Sequence, residues 1–291
     1  LAASRIALKN KYNFTDLNTF SLEWTLVKNG IPVKSGSAQI PSLSLYETGT
    51  ITIPEIKNLD TDGEYFLNVA LVRKDRQDWA EPGFVQASEQ LVLREKPVAL
   101  PEISASRSDL TAYESEENMS LKNRGFCVEF SKANGEMTSL VFAGLEMIHK
   151  SEGFRFNWYR AVNNDKHNSN NGPIFIEHGK ETITLKGFSW KWIEEGKTAE
   201  ILTEYQVQVP DRDGNIAADM PYSVRYTVYA DGIVDVNAVY ETCEGFDLPR
   251  LGLAASITSG FENVKWYGRG PQENYPDRER SSFLGVYGNT V

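Results

Sequence analysis

Hydrophobic residues in this chain recur at every second position, over short runs that stop at turn-forming pairs. Phe20, Leu22, Trp24 and Leu26 fall on one face of such a run, with Ser21, Glu23 and Thr25 on the other. That is the signature of a half-buried strand, because successive side chains of extended backbone point to opposite sides. The run ends at Asn29-Gly30, the pair best able to adopt the positive φ angles of a type I′ turn, and Ile31 and Val33 carry the return strand. Tyr65, Leu67, Val69 and Leu71 alternate again, and Val85 to Leu93 completes a block of about seven short strands, the pattern of an antiparallel sandwich. The first domain is assigned to residues 1–95.

At 96–108 the alternation gives way to Pro97, Pro101, Ser104, Ser106 and Ser108. Proline donates no ladder hydrogen bond, so this stretch reads as a linker. Alternation resumes beyond it. Phe126, Val128 and Phe130 lead through Asn134-Gly135 to Met137, Leu140 and Phe142, and Tyr205, Val207 and Val209 are followed by Val224, Tyr226 and Val228 and a turn at Asp231-Gly232. No amphipathic helix of ten or more residues is legible. The expected fold class is all-β, with a second β domain over 109–291.

Several chemistries are disfavoured. With 30 Lys+Arg against 40 Asp+Glu the formal charge is -10. Nucleic acids and anionic membranes are therefore poor partners, and a neutral ligand fits better. No apolar run is long enough to cross a bilayer, and Leu1-Ala2-Ala3-Ser4-Arg5 lacks the features of a secretory signal. The chain begins without Met and reads as a piece of a longer protein, so its compartment, cytoplasmic or periplasmic, stays open. His149, His167 and His178 are scattered without metal-ligand spacing, and no metal or cofactor site is expected in the chain. Cys127 and Cys243 read as ordinary buried thiols; a single bridge between them is left open, since pairing depends on a Cα separation that sequence does not supply. Gly268-Arg269-Gly270 begins like a phosphate loop but is followed by Glu273 and no helix. Asp211-Arg212-Asp213-Gly214-Asn215 lacks the remaining ligands of a calcium loop and reads as a hairpin turn.

Two polar stretches break the strand pattern of the second block: residues 157–173, rich in Asn, and 266–280, dense in Gly, Pro and charge. Such loops on a sheet scaffold are where binding groups are placed, although a plain solvated connection is the commoner case. The second stretch reads Trp266-Tyr267-Gly268-Arg269-Gly270-Pro271-Gln272-Glu273-Asn274-Tyr275-Pro276-Asp277-Arg278. It closely resembles the W-[YL]-G-x-G-P-x-E-x-Y-P-D-R signature of the small-chain, or fifth, domain of family 2 β-galactosidases. Physically, its glycines allow close backbone approach, and Glu273, Asp277 and Arg278 are placed to interlock as charge-assisted pairs. A structural role is favoured over direct sugar contact.

The resemblance runs over nearly the whole chain. Asp109-Leu110-Thr111 and Gly144-Leu145-Glu146-Met147-Ile148 are similar to the family's entry into this domain. Residues 20–93, with Trp79-Ala80 and Gly83, are similar to its preceding immunoglobulin-like domain. Phe156 to Asp165 resembles the family's F-x-R-A-P-x-D-N-D loop, but reads Arg160-Ala161-Val162-Asn163-Asn164-Asp165, one residue shorter and without the Pro or first Asp. Arg160, Asn164 and Asp165 carry over as substrate-site residues, with Asn163 the least secure match.

The resemblance implies an immunoglobulin-like sandwich followed by a C-terminally truncated β-supersandwich of the galactose-mutarotase type. It implies that the chain is the non-catalytic C-terminal part of a retaining β-galactosidase, inactive alone, whose missing N-terminal domains include a (β/α)8 barrel carrying the catalytic glutamates. Magnesium and sodium sites, where present, belong to that barrel. Partners implied are those missing domains, the β-galactoside in the full-length enzyme and, because lost strands leave unpaired edges, further copies of the chain. The alternative is a carbohydrate-binding or adhesive β-sandwich module with no enzymatic parent, in which Trp158, Tyr159, Trp190 and Trp192 stack on sugars. Trp190 and Trp192, however, share one strand face and read more readily as core.

Overall fold

A computed structural model describes residues 5–54, 56, 59–95, 108–158, 180–210, 213–241, 250–275 and 277–291. The architecture is all-β; among the described residues the only helical elements are short 3-10 turns. The chain divides into two compact units, one of residues 1–100 with 262–291 and the other of residues 101–261.

In the first unit, β1 (Arg5–Lys9) pairs with β4 (Thr48–Thr52), and a second sheet runs in the order β3 (Ile31–Gln39), β2 (Phe20–Lys28), β5 (Tyr65–Arg73), β6 (Val85–Arg94). All pairings are antiparallel. Six strands are thus described where about seven are expected of an immunoglobulin-like sandwich. The expected hairpin is present: Asn29 and Gly30 take φ of 50° and 76°, as a type I′ turn requires. The alternating apolar residues Phe20, Leu22, Trp24 and Leu26 of β2 meet Tyr65, Leu67 and Val69 of β5 and Ile51 of β4 in one buried cluster.

In the second unit, β7 (Thr111–Glu114), β8 (Asn118–Lys122), β9 (Phe126–Ser131), β10 (Met137–Phe142) and β11 (Leu145–Glu146) form a five-stranded meander. A pair is made by β12 (Arg155–Asn157) and β17 (Gly252–Ala254), and a four-stranded sheet by β13 (Thr182–Glu194), β14 (Thr198–Pro210), β15 (Ile216–Tyr229) and β16 (Val234–Tyr240). The alternation of β14 is carried out in full: Ile201, Thr203, Tyr205, Val207 and Val209 are buried, whereas the intervening positions are partly or fully open. These residues, with Val224, Tyr226 and Val228 of β15, share a core with Met119, Leu121, Val128, Phe130 and Met137 of the meander. Thr203, the one polar member of the run, gives its hydroxyl to Val224 O at 3.2 Å. Trp190 and Trp192 pack against this core, edge to face at 5.9 Å, as expected.

The chain ends in a hairpin, β18 (Asn263–Gly270) and β19 (Phe283–Thr290). One expectation needs correction here. The stretch 266–280 is not loop throughout, since Trp266 to Gly270 belong to β18 and only the connection beyond is irregular. The reason is that its glycines accommodate an aromatic rather than bend the chain: a Cβ on Gly270 would lie 2.7 Å from the Tyr287 ring. By its contacts this hairpin groups with the first unit.

Cys127 of β9 is a half-buried free thiol, and burial pushes its pKa up, so it is chemically quiet. Cys243 lies outside the described residues, as does the linker apart from Ser108.

Candidate functional site

Two places in the chain carry the expected site residues. The substrate-loop residues Arg160, Asn163, Asn164 and Asp165 lie outside the described residues, as does Tyr159. The base of that loop is described. Arg155, Phe156 and Asn157 pair with Ala254, Leu253 and Gly252. Phe156 is buried against Tyr222 and Tyr240, with ring centroids 5.3 and 5.9 Å away, and Tyr222 stacks in turn on Tyr205 at 4.7 Å. Desolvation pushes the phenol of Tyr205 up to about 12, so these rings serve as neutral packing groups. Trp158 is 1% exposed, which removes it as a sugar-stacking platform. Beside this base, burial raises Glu136, whereas the Ser256 hydroxyl and the Arg155 guanidinium lower Glu152. Glu152 accepts from Ser256 Oγ at 2.6 Å and pairs with Arg155 at 3.4 Å, and Glu136 accepts from Asn134 Nδ2 at 3.0 Å. Both carboxylates thus have structural partners at the foot of the loop.

The signature hairpin lies within the described residues apart from Pro276. Arg278 and Glu273 form an ion pair at 2.6 Å that closes the connection between β18 and β19. The Arg269 guanidinium donates to Ser282 O at 3.0 Å, and Trp266 Nε1 donates to Arg269 O at 3.2 Å. Tyr287 lies 5.6 Å from Trp266 and donates to Phe283 O at 2.8 Å. Among the described residues Asp277 takes no ion pair, so the expected three-way interlock reduces to Glu273 and Arg278. Gly270 is buried and Gly268 half-buried, whereas Pro271, Asn274 and Tyr275 stand toward solvent.

The hairpin also binds the first unit's larger sheet. The Gln90 carboxamide donates to Leu284 O at 2.9 Å and accepts from Leu284 N at 2.8 Å, standing in for a peptide unit of a neighbouring strand. Gly30 O accepts from Val286 N at 3.1 Å, and Tyr267 donates its hydroxyl to Glu64. A Cβ at Gly30 would sit 2.6 Å from the Tyr267 ring, so glycine is needed there for space as well as for φ. Nothing in the sequence signals Gln90 or Glu64, because an exposed-face Gln or Glu on a β sandwich looks like ordinary solvated surface.

Glu64 is held above its usual 4.5 by burial and then by repulsion from Glu95. A carboxyl raised in the folded state contributes stability that is fully present below the unfolded value and is lost as pH rises through the folded one. The expected result is that Glu64→Gln, which keeps an acceptor for Tyr267 and removes the charge, slows amide exchange in β19 near neutral pH and flattens its change with pH above about 4.5. Tyr267→Phe should speed that exchange. Exchange mass spectrometry on residues 283–290 between acid and neutral pH reads both.

Among the described residues no group of three or more His, Cys, Asp or Glu is placed to hold a metal ion, and no helix is long and apolar enough to cross a membrane. The fold and hairpin define a class: a two-unit β protein in which a glycine-rich hairpin, closed by its own ion pair, is strapped to an immunoglobulin-like sheet. Sequence comparison then gives the family. Residues 122–291 match the family described as beta galactosidase small chain, and residues 6–94 match beta-galactosidase domain 4. The chain belongs to the β-galactosidase small-chain family. It is similar to the beta-galactosidase of Priestia megaterium, 27% identical over 100% of this chain and 27% of the relative. The beta-galactosidase of Halalkalibacterium halodurans is 28% identical over 98% of the chain and 28% of its own length, and that of Lactobacillus delbrueckii subsp. bulgaricus 28% identical over 99% and 27%. The chain therefore spans only 27 to 28% of the length of these relatives.

Proposed function

We propose that this chain is the non-catalytic C-terminal part of a retaining, family 2 β-galactosidase, in which it walls the mouth of a (β/α)8 barrel supplied by the rest of the polypeptide. The observation that carries the reading is the tandem match: domain 4 over 6–94 and small chain over 122–291, in relatives named beta-galactosidase along the whole chain. Retaining hydrolysis needs one carboxylate as nucleophile and a second carboxyl as acid/base, about 5 to 5.5 Å apart on a rigid frame. That pair, and any magnesium or sodium, belongs to the barrel. The contribution of this chain is positional. Arg160, Asn164 and Asp165, with Asn163, follow in sequence the strand pinned by Phe156 and Trp158, and their role in this reading is to orient the galactoside and exclude water. The signature hairpin holds the first unit's sheet and makes no sugar contact.

The test is Asp165→Ala in the full-length enzyme. A fall in kcat/KM of about 10- to 100-fold is expected, the size of effect that follows from misplacing a substrate by an ångström. Circular dichroism and melting temperature should stay unchanged. Wild-type kinetics in a folded variant would remove this loop from the site.

A further inference from the structure

Antiparallel pairing brings three connections to one end of the first unit's sandwich: residues 10–19 between β1 and β2, 40–47 between β3 and β4, and 74–84 between β5 and β6. These connections are firmly held. Asn10 is completely buried and donates through Nδ2 to Thr15 O and Leu43 O, both at 2.9 Å, while its Oδ1 accepts from Tyr12 N. Asp16 accepts from Ser42 Oγ at 2.6 Å and from Asn18 N at 2.8 Å. Lys74 Nζ donates to Asn18 O at 2.9 Å and Gln39 Oε1 at 3.0 Å, tying the third connection to the other two strands' ends.

On this rigid base stand side chains that belong in an interior. Phe14 is 97% exposed, Tyr46 and Trp79 are each 61% exposed, and Leu45 and Phe84 are exposed beside them in sequence. The Trp79 ring meets Phe84 edge to face at 5.4 Å and is backed by the Arg73 guanidinium, which also lies 5.0 Å from the Phe20 ring. Single exposed hydrophobics are ordinary, but a group of them on pinned loops at one end of a domain marks an interaction surface. Aromatic anchors held in place in advance lose little entropy on docking, which is how binding loops on sandwich ends work.

We propose that this loop end is a docking face for an apolar protein surface contributed by the part of the β-galactosidase polypeptide that lies outside these 291 residues. The inference rests on the functional reading above. Three observations select this occupant. Matched relatives carry most of their length outside the matched region, so a large protein surface is at hand. The nearby charges of Arg76 and Glu81 neutralise each other at 3.2 Å, and the chain's net charge is -10, which suits neither an anionic membrane nor a nucleic acid. Phe14, Leu45 and Phe84 carry no hydrogen-bonding group with which to hold a sugar hydroxyl.

Photo-crosslinking in the full-length gene product tests it. A benzophenone amino acid replaces Phe14 in one protein and Trp79 in another, with Val33, exposed on edge strand β3, as the control position. Cross-linked peptides from outside residues 1–291 at both test positions and not at Val33 are the expected result. Links confined to residues 1–291 of the same chain, links to a second copy, capture of added glycans only, or no links at all would each overturn the proposal. The same preparations are assayed with a chromogenic galactoside. An inactive wild-type protein that still gives the expected links would refute the functional reading while supporting the docking face.

Discussion

If the proposed function holds, the protein purified as these 291 residues should release no chromophore from a nitrophenyl β-galactoside above the uncatalysed rate, where whole enzymes accelerate their reactions by at least ~10⁶-fold. Glycoside hydrolysis needs one carboxyl protonated and another ionised across the scissile bond, their environments pushing the two pKa values apart. In the first unit Asp60 and Asp62 are both bound by one ammonium, Lys28 Nζ, at 2.8 and 2.7 Å. The hydrogen bond with Asp62 and that from the Lys28 ammonium hold Asp60 far below the usual carboxylate range, and Lys28 is raised in turn, so Asp60 stays ionised at neutral pH. In the second unit Glu136 and Glu152 differ in the required sense, but each is engaged at the foot of a loop by Asn134, or by Ser256 and Arg155. A chromogenic assay with host galactosidase removed checks the expectation, and enzyme-like turnover by the isolated chain would end the accessory reading.

Replacing Phe66 by Ala should release the signature hairpin while the rest of the first unit stays folded. Phe66 is 1% exposed, yet it points away from the cluster that holds its neighbours Tyr65 and Leu67. It is covered instead from the opposite face of the sheet, where it lines a small cavity with Gln90, Ser282, Phe283 and Leu284. Truncating a buried Phe to Ala costs about 3–5 kcal/mol. An isolated two-stranded hairpin has little stability of its own, so that loss is enough to detach it. Amide exchange in residues 263–270 and 283–290 should rise steeply, with protection in β2 and β5 retained. Phe20→Ala, a deletion inside the inner cluster, should lower protection across the whole sheet. If Phe66→Ala opened β2 and β5 as readily as the hairpin, the hairpin would be an integral part of that core rather than a strap upon it.

Much of the fold was legible in the residues because it is local. The alternation of β2, β5, β14 and β15, the turns at Asn29-Gly30 and Asn134-Gly135, and the packing of Trp190 and Trp192 all follow from which side of an extended backbone a side chain leaves. The signature could be read as a motif, and the pairing of Glu273 with Arg278, five residues apart, was within reach of spacing. The burial of Trp158 was not, because an aromatic residue at the edge of a polar loop looks the same whether it faces a ligand or a core. Asp277, enlisted by the same spacing, makes no ion pair among the described residues.

Strand identity, turn chemistry, the all-β class and the motif that leads to the β-galactosidase family were determined by the sequence, since each depends on neighbours within a few residues. Only the tertiary structure decided which faces are covered. Gln90 meets Leu284 across 194 residues and Tyr267 meets Glu64 across 203. Contacts at that separation leave no periodic trace in the chain. They arise because Phe66, on the face that alternation assigns to solvent, loses water when a distant hairpin lies across it.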